Sequence, residues 1–242
     1  MIQSRICMLI VIALLIIYMI FQNCNYNGFT NEYNKPDYNK EKCTGQVKED
    51  YLKNIKVIEN FLTDKECDYV INLAEPRLQR STVMGSNNNE VSNYRTSDNV
   101  FISKNEDPVI KAISNRVSRV NNIPISHQEN IQILRYKKGK YYKPHYDACL
   151  DDSKNCKQDQ ELRGIRLNTA LIYLSDTIGG ETSFNNLGKT FTPKKGMVVF
   201  FNPVVEVDNK YEHHPCSYHS ALPVTKGTKY NLTVWSRNKP QP

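Results

Sequence analysis

The sequence predicts an α+β fold: helices first, then a series of short strands closing into a β-barrel or sandwich. Three observations carry that prediction. A helix-capping signal stands at Thr63, and a second stands at Asp107-Pro108. From Ile131 onward the apolar residues change from helical to alternating spacing.

Thr63-Asp64-Lys65-Glu66 has the form of a capping box, with a Thr cap and a Glu three residues on. Val70, Ile71, Leu73 and Ala74 then give one apolar face, and Pro76 stops the helix. The Gly-, Ser- and Asn-rich residues 85–93 form a loop, and Tyr94 to Ile102 is extended. Pro108 takes the first helical position of the next helix. Ile110, Ile113, Val117 and Val120 follow at helical spacing, and the helix ends near Asn121-Asn122. Ile131 and Ile133 then alternate with Gln132 and Leu134. Further strands are expected at Leu167–Leu174, after the Gly179-Gly180 turn, and at Met197–Phe201. His219–Val224 and Tyr230–Trp235 read as a last pair, joined through Gly227.

The N-terminus differs in character. Arg5 precedes an apolar run of 16 residues, Ile6 to Phe21, with no small-residue cleavage site after it. We expect an uncleaved signal anchor over 1–21 and a polar stalk over 22–50, with the folded domain over 51–242. That arrangement implies a single-pass type II membrane protein. Its catalytic domain would be lumenal, in the endoplasmic reticulum, with the membrane as a partner. Net charge is +7, but the bases are scattered among 25 acids without a long basic run, which excludes a nucleic-acid partner. Seven cysteines are an odd number, so at least one is unpaired within the chain. A polar insertion runs from Cys149 to Glu161, and the sequence leaves open whether Cys149 and Cys156 close a disulfide there.

The chemistry gathers around Tyr136–Asp147. In an extended chain residues i and i+2 share a face, so His145 and Asp147 can aim at one ion. A third ligand must come from elsewhere. His127, His213 and His214 compete for the role, but His219 leads an apolar segment that would hold it on a rigid strand. Two histidines and a carboxylate on one side of an ion leave the opposite positions open, as in non-haem Fe(II) oxygenases. Lys229 lies ten residues after His219. A hairpin through Pro223–Gly227 would bring it beside His219, where its charge suits the far carboxylate of a keto-diacid.

These residues resemble the Fe(II)- and 2-oxoglutarate-dependent oxygenases, and within them the prolyl 4-hydroxylases. The matching segments, in order, are Gln132–Tyr136, Gly139, Tyr142, His145-x-Asp147 and Asn168–Leu174. Gly179-Gly180-Glu181-Thr182-x-Phe184, Pro193-x-x-Gly196, and His219-Ser220-x-x-Pro223-Val224 with Gly227 and Lys229 complete them. The resemblance implies a double-stranded β-helix (jelly-roll) core with flanking N-terminal helices. It implies His145, Asp147 and His219 as iron ligands and catalytic residues, and Lys229 as partner of the 2-oxoglutarate far carboxylate. Tyr136 and Tyr142 would line the pocket, with Thr169 a further pocket candidate. Arg95 and Ser97 match the family's peptide-groove segment; Arg166 is a further substrate-side candidate, with a structural ion pair as its alternative. Cofactors would be Fe(II), 2-oxoglutarate, O2 and L-ascorbate, and the substrate a proline-containing peptide or collagen-like chain. The alternatives are an oxygenase acting on lysine or another peptide residue, and a non-catalytic peptide-binding barrel. The chain departs from the family at Leu222, where a Cys is common. The glycosylation sequon Asn231-Leu232-Thr233 falls on an expected barrel strand, so it should be unused.

Overall fold

The structure, a computed structural model, describes residues 42–84, 89–90 and 92–241. No helix among them is long and apolar enough to cross a membrane. The longest, Pro108–Asn121, has 14 residues and carries Lys111, Arg116 and Arg119; a spanning helix needs about 20 apolar ones. The expected single-pass type II placement with a lumenal domain therefore finds no support among the described residues. The anchor expected over 1–21 lies outside the described residues, as does the stalk as far as residue 41.

Helix α1, Gly45–Asn54, occupies the last part of the expected stalk. Polar composition concealed it, because Tyr51 is its one buried residue. Tyr51 stacks on His214, with ring centroids 4.1 Å apart, and its hydroxyl donates to the Asn202 carbonyl at 3.1 Å. A disulfide from Cys43 to Cys216 fixes the start of this segment.

Strand β1 (Lys56–Ile58) follows, then α2 (Asp64–Ala74). The capping box is present as expected: Thr63 Oγ1 accepts from the Glu66 N–H, and the Glu66 carboxylate accepts from the Thr63 N–H. Strands β2 (Gln79–Arg80), β3 (Val83–Met84), β4 (Asn89–Glu90) and β5 (Asp98–Ile102) lead to α3 (Pro108–Asn121). Asp107 caps α3 by accepting from the N–H groups of Val109 and Ile110, and Asn122 ends it at φ 57°. After β6 (Ile131–Tyr136) and β7 (Tyr142–His145), helix α4 (Lys154–Arg163) fills the polar insertion, and the Cys149–Cys156 disulfide closes the loop before it. The remaining strands are β8 (Arg166–Tyr173), β9 (Ile178–Gly179), β10 (Thr182–Phe184), β11 (Lys189–Phe191), β12 (Val198–Phe201), β13 (Val204–Val207), β14 (Lys210–His213), β15 (His219–Ala221), β16 (Val224–Lys226) and β17 (Lys229–Arg237).

Two antiparallel sheets dominate, as a jelly roll requires. One has seven strands in the order β1-β12-β8-β17-β6-β5-β2; the other has four, β11-β10-β15-β7. Strand alternation divides the large sheet into two faces. Ile131, Ile133, Ala170, Ile172, Leu232 and Val234 pack against Val70, Ile110, Ile113 and Val117 of α2 and α3. Burying such a side chain contributes about 1.5–3 kcal/mol. The intervening residues, among them Gln132, Leu134, Thr169, Leu171, Asn231 and Thr233, face a cavity of about 600 Å3.

At one end of this cavity lies a buried charge network. The Glu129 carboxylate, 3% exposed, accepts from Arg166 at 2.6 and 2.9 Å and from Arg237 Nε at 2.6 Å. Arg237 also donates to Asp159 of α4 at 2.9 Å and to the Gly164 carbonyl at 2.6 Å. Burial pushes the Glu129 carboxyl up, but Arg166 and Arg237 outweigh it and hold it at about 2.

A carboxyl held below its unfolded value stabilises the fold above that value and stops doing so as pH falls through the folded one. The Glu129 contribution, about 3 kcal/mol, should therefore fade between about pH 4.5 and 2. Glu129→Gln should cost about 3 kcal/mol at neutral pH, because buried Arg237 and half-buried Arg166 lose a shared counter-charge. Urea unfolding of both proteins at neutral and acid pH measures this; equal stability at neutral pH would refute it.

Candidate active site

His145 ends β7 and His219 begins β15, and the two are register partners in adjacent antiparallel strands. Cross-strand pairing therefore brings residues 74 positions apart onto one face. Nδ1 of each ring lies against a backbone carbonyl oxygen, that of Lys143 at 2.8 Å and that of Ser217 at 2.9 Å. A carbonyl cannot donate, so Nδ1 carries the proton and Nε2 keeps its lone pair. Asp147 follows β7 and places Oδ1 3.7 Å from His145 Nε2 and 3.8 Å from His219 Nε2. The three donor atoms lie within 4.8 Å of one another.

Burial, and secondarily His219, push His145 down to about 3 against the pull of Asp147, so its imidazole is neutral at physiological pH. Burial pushes the Asp147 carboxyl up, but His219, His145, Arg166 and Thr169 together leave it below the usual range. Thr169 donates to Asp147 Oδ2 at 2.7 Å, which leaves Oδ1 facing the histidines. Arg166 donates to the Asp147 backbone carbonyl at 2.8 Å. Two imidazole nitrogens and one carboxylate oxygen, each oriented by an outer hydrogen bond, suit Fe(II).

Lys229 is fully buried, and its Nζ has no hydrogen-bond partner. The rings of Tyr136 and Tyr173 each stand 5.4 Å from it. Burial lowers its pKa to about 7, with Glu181 acting in the other direction. The expected hairpin beside His219 does not form. Strand β15 belongs to the four-stranded sheet, whereas β17 lies between β6 and β8, and the register partner of Lys229 is Tyr136. The residues lining the open cavity include Asn231 but not Lys229, which lies further along the same face.

The other expected site residues divide. Tyr142 stacks on His145, with centroids 3.6 Å apart, and the Arg95 guanidinium sits 4.9 Å from the Tyr142 centroid. Burial pushes the Tyr142 hydroxyl up to about 12, so it stays protonated. Arg95 lines the cavity and donates to Gln132 at 3.0 Å. Ser97 is fully buried; its Oγ lies 2.9 Å from Ser81 Oγ and accepts from Arg95 Nε at 3.3 Å. It orients Arg95 and does not line the cavity. Thr169 and Arg166 line the cavity, but their hydrogen bonds go to Asp147 and Glu129.

Several contributors escaped the sequence reading. Gln132 could have been found, since Ile131 and Ile133 face the helices and the residue between them must face the cavity. Glu129 gave no signal: it precedes the strand, and its arginine partners Arg163, Arg166 and Arg237 are distant in sequence. Tyr173 and Trp235 fell on expected strands and were given no site role. Yet Tyr173 flanks the lysine, and the Arg166 guanidinium stands 3.8 Å from the Trp235 centroid.

Residues 131–237, which hold all three donors and Lys229, match the 2OG-Fe(II) oxygenase superfamily. A protein of Acanthamoeba polyphaga mimivirus with a provisional prolyl 4-hydroxylase name is 35% identical over 76% of this chain and 74% of its own. Prolyl 4-hydroxylase 2 of Arabidopsis thaliana is 36% identical, over 74% of this chain and 65% of the plant protein. The crystal structure of a viral collagen prolyl hydroxylase from Paramecium Bursaria Chlorella virus-1, in complex with 2-oxoglutarate, superposes with a TM-score of 0.59 at 30% identity. It covers 79% of this chain and 98% of that one. By sequence along most of its length, and by a superfamily match that encloses the two paired histidines, this chain belongs to the prolyl 4-hydroxylase family of Fe(II)- and 2-oxoglutarate-dependent oxygenases.

Proposed function

We propose that this chain hydroxylates proline in peptide or collagen-like substrates. The reaction consumes 2-oxoglutarate and dioxygen and yields succinate and carbon dioxide. The observation that carries the reading is the donor set His145, Asp147 and His219 with an unpartnered buried lysine on the same cavity's strand face.

In this reading the three donors hold Fe(II), and Lys229 pairs with the far carboxylate of 2-oxoglutarate. When bound, iron and its cosubstrate supply activation of dioxygen and couple decarboxylation to hydroxylation of a C–H bond, with ascorbate maintaining the reduced metal. The chain supplies placement. Nδ1–H donation to Lys143 and Ser217 fixes both rings, and Thr169 leaves one Asp147 oxygen for the metal. With all donors supplied by His145, Asp147 and His219, the remaining positions of a bound ion would be left for the cosubstrate and dioxygen. Leu134, Leu171, Phe201 and Trp235 wall the cavity and keep water away from the reacting atoms. Arg95 and Tyr142 stand where an extended proline-rich segment would enter, and such a segment is preformed for docking on aromatic surfaces.

Incubation with a proline-rich peptide, Fe(II), 2-oxoglutarate and ascorbate should give peptide 16 mass units heavier at proline, with one succinate per hydroxyl (about +16 for one oxygen). Asp147→Ala should abolish both products while the far-ultraviolet spectrum stays unchanged. Hydroxylation only on lysine-bearing peptides would replace the proline reading. Succinate no higher than in the Asp147→Ala control would favour a binding barrel.

Lys229 gives a second test. Its charged form attracts the carboxylate and its neutral form does not. Binding of 2-oxoglutarate to the free enzyme should therefore weaken as pH rises through about 7. Lys229→Arg, charged throughout, should flatten that profile, and Lys229→Ala should weaken binding at every pH. A flat wild-type profile from about pH 6 to 9 would remove Lys229 from the cosubstrate site.

A further inference from the structure

The two histidines of the donor set are oriented by different parts of the chain. The Lys143 carbonyl that accepts from His145 Nδ1 lies within β7, and the Lys143 N–H donates to the Tyr94 carbonyl at 2.9 Å. The Ser217 carbonyl that accepts from His219 Nδ1 lies in no strand. It belongs to a single 3-10 turn, Pro215–Ser217, ahead of β15. So short a turn has no ladder to hold its last carbonyl, whose direction depends on what packs around it.

On one side the turn is held by neutral hydrogen bonds, from Asn186 Nδ2 to the Pro215 carbonyl at 2.9 Å and from Ser217 Oγ to the Pro203 carbonyl at 3.0 Å. On the other side stands α1. Cys43, just before α1, is bonded to Cys216 in the middle of the turn, and the two are 2% and 0% exposed. Tyr51 of α1 stacks on His214, whose Nδ1 caps the turn by accepting from the Cys216 N–H. A second route reaches the ring itself. Tyr51 stands 6.5 Å from Phe184, and Phe184 stacks on His219 with centroids 5.4 Å apart. A helix with one buried side chain gains little from its own packing, yet a covalent bond across 173 residues ties it beside Ser217. The superfamily match begins at residue 131 and does not include α1.

We propose that α1, through the Cys43–Cys216 bond and Tyr51, is the positioning element for His219. It holds the Ser217 carbonyl where His219 Nδ1 donates to it, and so keeps Nε2 aimed at the metal position. The inference rests on His219 being an iron ligand and deepens that reading. Cys43 and Tyr51 are positioning residues that act through Ser217 and Phe184. The bond is buried, so it is a fixed brace and not a switch.

Two measurements without turnover test this on the full chain carrying Cys43→Ala and Cys216→Ala. In the metal-free proteins, NMR should show protected Nδ1–H resonances for His145 and His219 in the wild type. The variant should lose the His219 resonance and keep that of His145. Fe(II) is then titrated by calorimetry under nitrogen, at a temperature where both proteins are folded. It should bind the variant about tenfold or more weakly, the usual cost of losing a group behind a metal ligand. If the double variant does not fold, Tyr51→Leu keeps the disulfide, removes the ring stack and should give the same two changes in smaller degree. Unchanged Fe(II) affinity overturns the inference, and so does a His219 resonance that persists; α1 then only stabilises the fold. Loss of both resonances means general loosening and overturns it too. If the wild-type chain binds no Fe(II), the iron reading falls, while the NMR comparison still decides whether α1 orients the ring.

Discussion

The pairing of β7 with β15 is the constraint on which the site depends. His145 and His219 face each other because they are register partners. A slip of one residue would send one histidine to the opposite face and dissolve the donor set. Several features hold the register. Tyr142 pairs with Ala221 further along the same two strands, and its ring stacks on His145. On its other side β15 is fixed by β10, where Phe184 faces His219. Each imidazole is then fixed in rotation by a nearby backbone carbonyl, so local backbone geometry orients the two Nε2 atoms that face Asp147.

The large sheet meets two opposite demands by alternation alone. Its helix side is apolar, and that hydrophobic face holds the sheet against α2 and α3. Its cavity side buries a lysine and an asparagine without partners for Nζ and Oδ1, an arrangement unfavourable in an empty fold. The helix-side core offsets that cost, and a ligand bearing carboxylates would remove it. A core-packing account of β17 leaves these two buried polar atoms unexplained.

What the sequence made legible follows local rules. The cap boxes at Thr63 and Asp107, the Ile131–Ile133 alternation and the i, i+2 relation of His145 and Asp147 are decided within a few residues. The two-histidine, one-carboxylate pattern was legible for the same reason, once His219 was seen to lead an apolar strand. Readings that needed knowledge of which strand pairs with which were less secure. Lys229 was placed on a hairpin with His219, although the chain leaves the small sheet after β15 and re-enters the large one at β17. Ser97 and Thr169 were expected at the pocket from the family resemblance, which does not reveal that Ser81 and Asp147 meet their hydroxyls. Helix α1 was hidden because its attachment is one disulfide and one tyrosine, too little apolar surface to give a periodic signal.

The polar insertion shows why composition alone misjudges such segments. Helix α4 has Cys156 as its one buried residue, so no amphipathic pattern announces it. Its order comes from tertiary contacts: the Cys149–Cys156 bridge, Ser153 accepting from the Cys156 N–H, and the ion pair from Asp159 to Arg237. Through Arg237 and Glu129 that ion pair continues to Arg166, which holds the backbone carbonyl of Asp147. A surface helix is thereby joined to the backbone of Asp147 by successive charge-assisted hydrogen bonds, each stronger than its neutral counterpart. Asp147 stands beyond the end of β7, where no strand ladder can hold it. Thr169 fixes its side chain and Arg166 its backbone, so the carboxylate that the sheet cannot position is positioned by the charges behind it.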